Sequence, residues 1–85
     1  MKTFLGETGL EMTWQESFPK TTICHKCKGK AKIMFVAFED DERKYICELH
    51  PTTGKKGGLW VHDAVAIASY LCPKCFEVTS ILNQA

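Results

Sequence analysis

The chain has 85 residues, of which 45% are hydrophobic and 11% aromatic, and its formal net charge is +1. This length and composition predict one globular domain with a thin core, the kind of fold that a metal ion or disulfides often stabilise. The near-neutral charge gives no indication by itself of a polyelectrolyte partner. No apolar stretch approaches the length of a signal-peptide core or a membrane span. We therefore expect a cytoplasmic protein with reduced thiols and no membrane partner.

Residues 1–20 form a mixed leader, in which apolar side chains are scattered among glutamates and glycines. The alternation of Leu10, Met12 and Trp14 predicts a short strand here, which would add to the main sheet. Pro19 marks a boundary. We therefore divide the chain into this leader and a metal-binding domain over residues 21–85.

Two stretches predict a β-hairpin in the middle of the chain. β-branched and aromatic residues predict a strand over residues 30–39, and a polar turn follows it. The alternation over residues 44–50 predicts the second strand of the hairpin. Glycines and lysines over residues 51–58 predict a flexible loop.

The last third of the chain contains an ambiguous apolar segment, residues 59–71. Its alanines favour a helix, whereas Val65, Ile67 and Leu71 alternate as in a strand. We favour a strand over residues 66–71, because the chain must deliver the following cysteine pair to the end of a sheet. A final short strand is predicted over residues 77–82.

Two Cys-x-x-Cys pairs carry the strongest chemical signal, Cys24 with Cys27 and Cys72 with Cys75. Each such turn points two thiolates the same way, and two turns brought together complete a closed tetrahedral shell. The odd total of five cysteines argues against a complete disulfide framework. These four residues are therefore predicted to bind one structural zinc ion per chain. Because a closed shell has no open position for substrate, we do not expect an enzyme.

These pairs, the first followed by Gly29 and the second containing Pro73, resemble the zinc-ribbon class, within the broad zinc-ribbon and rubredoxin-like group. The resemblance covers residues 21–82. It implies a small metal-stabilised antiparallel sheet of three to five strands, with two Cys-x-x-Cys knuckles. The alternative within this group is a rubredoxin-like iron protein that transfers electrons. Rubredoxin-like iron sites usually carry glycine directly after each pair, whereas this chain has Lys28 and Phe76, which favours zinc.

A third pair, Cys47 and His50, also has metal-ligand spacing. One ion could take Cys24 and Cys27 together with these two residues. In a strand, however, positions 47 and 50 face opposite sides, so we favour the four cysteines of the outer pairs. A binuclear site that uses His25, His50 or His62 is less favoured, and participation of the middle pair stays open.

The surface signals are a group of lysines and a few aromatic residues. Lysines gather around the first knuckle, in the glycine-rich loop and in the second knuckle, at positions 20, 26, 28, 30, 32, 55, 56 and 74. They would suit phosphates, but acidic residues at 39–42 and in the leader offset them. Trp14, Trp60, Phe35 and Phe38 would suit base stacking, although such residues more often form the core. We expect a binding module, with a protein partner slightly favoured over nucleic acid.

Overall fold

The computed structural model describes residues 1–40, 46–49 and 64–85. Within these ranges five strands form one antiparallel sheet, which confirms the predicted small antiparallel β-fold. The strands are β1 (Lys2–Leu5), β2 (Thr21–Ile23), β3 (Lys30–Phe38), β4 (Val65–Leu71) and β5 (Val78–Gln84). No helix in these ranges is both long enough and apolar enough to cross a membrane.

β3 and β4 are the central strands, because both edges of each are paired. The first residues of β3 pair with β2 and its last four with β1, while β4 pairs along its opposite edge from Lys32 to Phe38. The register with β4 shifts between Ile33 and Phe35, which marks a β-bulge that bends the strand locally. The predictions of strands at 30–39, 66–71 and 77–82 are confirmed, with end residues adjusted.

The β2–β3 and β4–β5 hairpins place the two cysteine pairs at the same end of the sheet. Lys32 at the start of β3 pairs with Leu71 at the end of β4. The chain therefore turns from β2 into β3, and from β4 into β5, at neighbouring positions. Each turn contains one Cys-x-x-Cys pair, so the topology itself brings the two knuckles together.

One face of the sheet forms the core, and the leader crosses over it. The core residues of this face alternate along β3 and β4, and Ala37, Val65 and Ser69 on the other face are buried as well. The core residues are Ala31, Val36, Phe38, Ala66, Ala68 and Tyr70. From the leader, Phe18 is buried among them and the Trp14 ring stacks on Phe38 with centroids 4.8 Å apart. The Tyr70 hydroxyl donates to the Pro19 carbonyl at 2.7 Å, which ties the end of the leader to β4.

The strand predicted around residues 10–14 is wrong. The leader's strand is β1, and a 3₁₀ turn over Gly6–Gly9 follows it directly. A Cβ at Gly9 would lie 2.5 Å from the Cβ of Phe4, so the turn lies directly against the sheet. Leu10 and Met12 then pack on the core as parts of a crossing segment. The division of the chain at residue 20 stays a prediction.

The predicted second hairpin strand at 44–50 is also wrong over its described part. Residues Ile46–Glu48 form a 3₁₀ turn. No edge is left for this segment beside the end of β3, because β1 and β4 occupy both sides. Instead the Ile46 amide donates to the buried carboxylate of Glu39 at 3.0 Å. The loop predicted at 51–58 lies outside the described residues.

Candidate metal centre

The first knuckle is a tight turn that closes the β2–β3 hairpin. The Cys24 amide donates to the Gly29 carbonyl at 2.8 Å, and the Lys28 amide donates back to the Cys24 carbonyl at 3.1 Å. Lys28 has a φ of 64°, in the left-handed region. This conformation reverses the chain within a few residues and directs both cysteine side chains to one side.

The second knuckle repeats this turn between β4 and β5. The Cys72 amide donates to the Glu77 carbonyl at 3.0 Å, and the Phe76 amide donates to the Cys72 carbonyl at 2.9 Å. Phe76 has a φ of 59° and matches Lys28 in position as well as conformation. Two turns that share the pattern Cys-x-Lys-Cys, but differ after it, thus reach the same backbone conformation.

The sulfurs of the four predicted cysteines cluster where the knuckles meet. Cys24 Sγ lies 3.5 Å from Cys75 Sγ, and Cys27 Sγ lies 3.5 Å from Cys72 Sγ and 3.8 Å from Cys75 Sγ. All four sulfurs lie within 4.8 Å of one another. A tetrahedron with metal–sulfur bonds of about 2.3 Å has edges of about 3.8 Å. The four residues are free cysteines, and their arrangement suits one tetrahedral ion.

The cluster extends from the core to the surface. Cys24 and Cys72, the first cysteines of each pair, are fully buried and belong to the core cluster. Cys75 is half-buried, and Cys27 is exposed. An ion held here would therefore connect the apolar interior directly to the two knuckle turns.

The thiols of the cluster differ in acidity. Hydrogen bonds from the Cys27 and Lys26 amides lower the pKa of Cys24. In the second knuckle, the corresponding Cys75 and Lys74 amides lower the pKa of Cys72 to about 6. The Glu77 amide acts to lower the pKa of Cys75, but burial and hydrogen bonds to the other sulfurs outweigh it and raise this pKa to about 12. The metal-free cluster therefore retains protons that a bound metal ion would displace.

Contacts between protein groups also join the first knuckle to the second hairpin. The Glu77 carboxylate lies 3.4 Å from the Lys26 ammonium and 3.7 Å from Nε2 of His25. The His25 amide donates to the Thr79 hydroxyl at 3.2 Å. Sequence reasoning did not find Glu77 or Thr79, because their role depends on where β5 lies beside a turn some fifty residues away.

Gly29 gives the backbone close access to the sulfurs. Its amide donates to Cys27 Sγ at 3.4 Å. A Cβ on Gly29 would lie 3.2 Å from that sulfur and 3.9 Å from Cys72 Sγ. A side chain here would press directly on the first knuckle's exposed ligand, so the absence of one belongs to the geometry of the centre.

The alternative middle pair is not placed by the structure. Cys47 lies in the 3₁₀ turn, and its side chain, together with His50 and His62, falls outside the described residues. Because residues Ile46–Glu48 form a 3₁₀ turn, the expectation that positions 47 and 50 lie on opposite faces of a strand does not hold. The outer cysteines are favoured instead by their own observed proximity.

Of the predicted surface residues, the described lysines are exposed. Lys20 pairs with Glu7, and Lys26 pairs with Glu77. Those on and near β3, at positions 28, 30 and 32, form no ion pair with any described residue. Lys55, Lys56 and Trp60 lie outside the described ranges.

Two knuckles of matching backbone conformation close two adjacent hairpins and bring four thiols together at one end of a sheet. Comparison of the chain with protein-family models, with curated protein sequences and with solved structures gives no match.

Proposed function

We propose that this chain is a small structural zinc protein of the zinc-ribbon type. One zinc ion bound by Cys24, Cys27, Cys72 and Cys75 would hold the sheet together and support a binding surface. The observation that carries the proposal is the cluster of four sulfurs, with measured separations of 3.5–3.8 Å. Four thiolates fill a tetrahedral shell, which leaves no coordination position for substrate or water.

The expected role of the ion is to lock together the two knuckles, which the β3–β4 ladder brings to the same end of the sheet. The first knuckle and the second hairpin meet through exposed polar groups, Lys26, His25 and Glu77, whose ion pairs contribute little in water. Binding of a structural zinc ion releases on the order of 10 kcal/mol near neutral pH. For a domain with so thin a core, most of the folding free energy would then come from the metal.

The competing proposal is an iron centre for electron transfer, because tetrahedral sulfur also suits iron. Zinc is favoured by Lys28 and Phe76, which stand where rubredoxin-like iron sites usually carry glycine. Elemental analysis of the purified protein decides between the metals. We expect about one zinc per chain and a colourless solution. A red protein with one iron per chain would overturn the zinc proposal.

The candidate binding surface lies beside the first knuckle. Lys30 and Lys32 project from the face of β3 opposite the core, and Ile23, which is 67% exposed, pairs with Lys30 in register. A shallow depression of about 510 Å³ lies here, lined by residues of β2 and by Lys28, Gly29 and Lys30. Exposed apolar and basic groups together suit an acidic protein segment.

Nucleic acid is the second candidate, supported by the unpaired charges of Lys28, Lys30 and Lys32. Labelled single- and double-stranded oligonucleotides can be titrated at about 50 and 200 mM salt, a range over which phosphate contacts lose affinity steeply. We expect no binding at the lower salt. Binding that weakens with salt, and that falls when these three lysines become glutamine, would favour nucleic acid. Lys20→Gln is the matched control, because Lys20 already pairs with Glu7.

A further inference from the structure

The outer edge of β5 presents unused backbone groups. Hydrogen bonds from Cys72 to Glu77 and from Ala85 to Ala64 close the two ends of the β4–β5 ladder, and the register between them is continuous. Residue pairs in an antiparallel ladder alternate between hydrogen-bonded and non-hydrogen-bonded pairs. The backbone amides and carbonyls of the odd-numbered residues of β5 therefore point towards β4. The amides and carbonyls of Val78, Ser80 and Leu82 therefore point away from the sheet. Within the described ranges β5 pairs with β4 alone.

The end of this edge is closed by the leader. The side-chain amide of Gln15 donates to the Gln84 carbonyl at 2.9 Å, and the Trp14 amide donates to the side chain of Asn83 at 3.2 Å. The open part of the edge is thus a short stretch centred on Ser80. A partner strand there has room for only a few residue pairs.

The open stretch has no charge, proline or bulge to prevent edge pairing. β5 contains no charged residue and no proline, and its register with β4 shows no bulge. Val78 and Leu82 are 48% and 47% exposed on the face of the sheet opposite the core. An uncharged, regular and partly apolar edge is a template for another strand.

We propose that β5 pairs with β5 of a second copy of this chain, antiparallel and centred on Ser80. In that register Ser80 lies opposite Ser80, and Val78 of each copy lies opposite Leu82 of the other. Each of the three residue pairs exchanges two backbone hydrogen bonds. The sheet then continues across both copies, and both apolar pairs lie on the same face.

Self-complementarity selects a second copy over an unrelated strand. The two-fold axis through Ser80 matches every outward donor with an acceptor and both exposed apolar residues with each other. No like charges meet, because residues 78–84 carry none. The contact is small, so the dimer belongs to the weak class of interface and should dissociate on dilution.

The test is sedimentation of the full, metal-loaded chain from micromolar to millimolar concentration. The mass should rise from 9.6 kDa towards twice that value. Leu82→Lys removes both Val–Leu pairs and places a charge on the edge, which should weaken dimerisation about tenfold. Leu5→Lys is the matched control, since Leu5 is exposed on the same face at β1 and should leave the dimer unchanged. Unchanged metal content and melting temperature establish that both variants are folded.

Isotope-filtered NMR on a mixture of labelled and unlabelled chains locates the contact. We expect intermolecular signals between the methyl groups of Val78 and Leu82. A chain that stays monomeric at millimolar concentration, or a dimer with contacts elsewhere, would overturn the proposal. A monomer whose β5 amides shift on addition of an unrelated extended peptide would assign the edge to a foreign strand instead.

Discussion

At the scale of single residues, both knuckles contain a conformation that disfavours the side chain present. Lys28 and Phe76 have φ values of 64° and 59°. This region costs a residue with a Cβ about 1–2 kcal/mol relative to glycine. Phe76 is 75% exposed, so its ring gives little packing in return.

Phe76→Gly should therefore stabilise the metal-loaded protein. Relief of the left-handed strain outweighs the extra chain entropy that glycine brings to the unfolded state, which leaves a gain of about 0.5–1 kcal/mol. Denaturant unfolding in a zinc-buffered solution measures it. Val78→Gly, two residues further along in β5, is the control and should destabilise instead. A loss of stability in both variants would contradict the strain argument.

Gly29→Ala should weaken metal binding. Its Cβ would lie 3.2 Å from Cys27 Sγ, so the sulfur must shift by a few tenths of an ångström. We expect an affinity about tenfold lower, or about 1.4 kcal/mol, in competition with a chromophoric chelator. Gly6→Ala is the comparison. Gly6 has a φ of 59° with open space around it, so that change should cost stability without altering metal affinity.

Cys72→Ser should remove the bound metal and lower the cooperative thermal transition greatly or abolish it, because metal binding supplies much of the folding free energy. Cys47→Ala should keep one tightly bound zinc, because the four outer cysteines would already fill a tetrahedral shell. Metal content and melting curves distinguish the two variants. Loss of metal from Cys47→Ala and from His50→Ala would move the site to the middle pair.

At the scale of secondary-structure elements, Glu39 joins the far end of the sheet to the chain segments around it. Its side chain is buried at 1% exposure, and its two carboxylate oxygens accept from the Val65 amide at 2.9 Å and the Ile46 amide at 3.0 Å. The Glu39 amide also donates to the Val65 carbonyl at 3.0 Å. One carboxylate thus fixes the start of β4 and the 3₁₀ turn together.

Glu39→Gln should destabilise the protein by about 1–3 kcal/mol, because the glutamine amide nitrogen cannot accept from the second buried backbone amide. Metal content should be unaffected, since Glu39 lies at the end of β3 away from the knuckles. Glu7→Gln, which disturbs an exposed ion pair with Lys20, should change stability by less than about 0.5 kcal/mol. Equal effects of the two substitutions on urea unfolding would show that the buried contacts of Glu39 are not important.

The elements that the sequence predicted correctly are those with local signals. Residues 30–39 and 66–71 combine β-branched, aromatic and alternating apolar positions with a neighbouring knuckle, and both form strands. The alternation of apolar and polar residues at 10–14 and at 44–50 also predicted strands. Residues 10–14 instead cross the face of the sheet, and Ile46–Glu48 form a 3₁₀ turn beside the buried Glu39. The residues at 46–48 form no strand beside the end of β3, because β1 and β4 already pair with both of its edges.

At the scale of the whole molecule, the cluster of four cysteines was predictable in its members and unpredictable in its surroundings. A Cys-x-x-Cys turn is a local feature, so the four cysteines could be named from spacing alone. The contacts of Glu77 and Thr79 with the first knuckle join residues some fifty positions apart, and they follow from the register of β5. The free edge of β5 is likewise a property of the assembled sheet.

Acid should release a metal ion held as proposed. Four cysteines would bind the ion as thiolates, so protons would compete with it and its affinity would fall as the pH is lowered. A titration with a zinc-sensitive dye should show this release together with proton uptake by the cluster. Metal retention independent of pH would argue against a four-thiolate centre.

The β-bulge between Ile33 and Phe35 lies between the two ends of the sheet. On one side lie the knuckles and β2, and on the other lie β1, the Trp14–Phe38 stack and Glu39. β3, β4 and β5 all run past the bulge, and of their two ladders only the one between β3 and β4 is irregular there. Under partial chelation, amide hydrogen exchange should therefore quicken first at Ala31 and Leu71 and only later at Phe38. The sheet would then unfold locally from the end that carries the cysteine cluster, and the β-bulge in β3 would mark where this local unfolding stops.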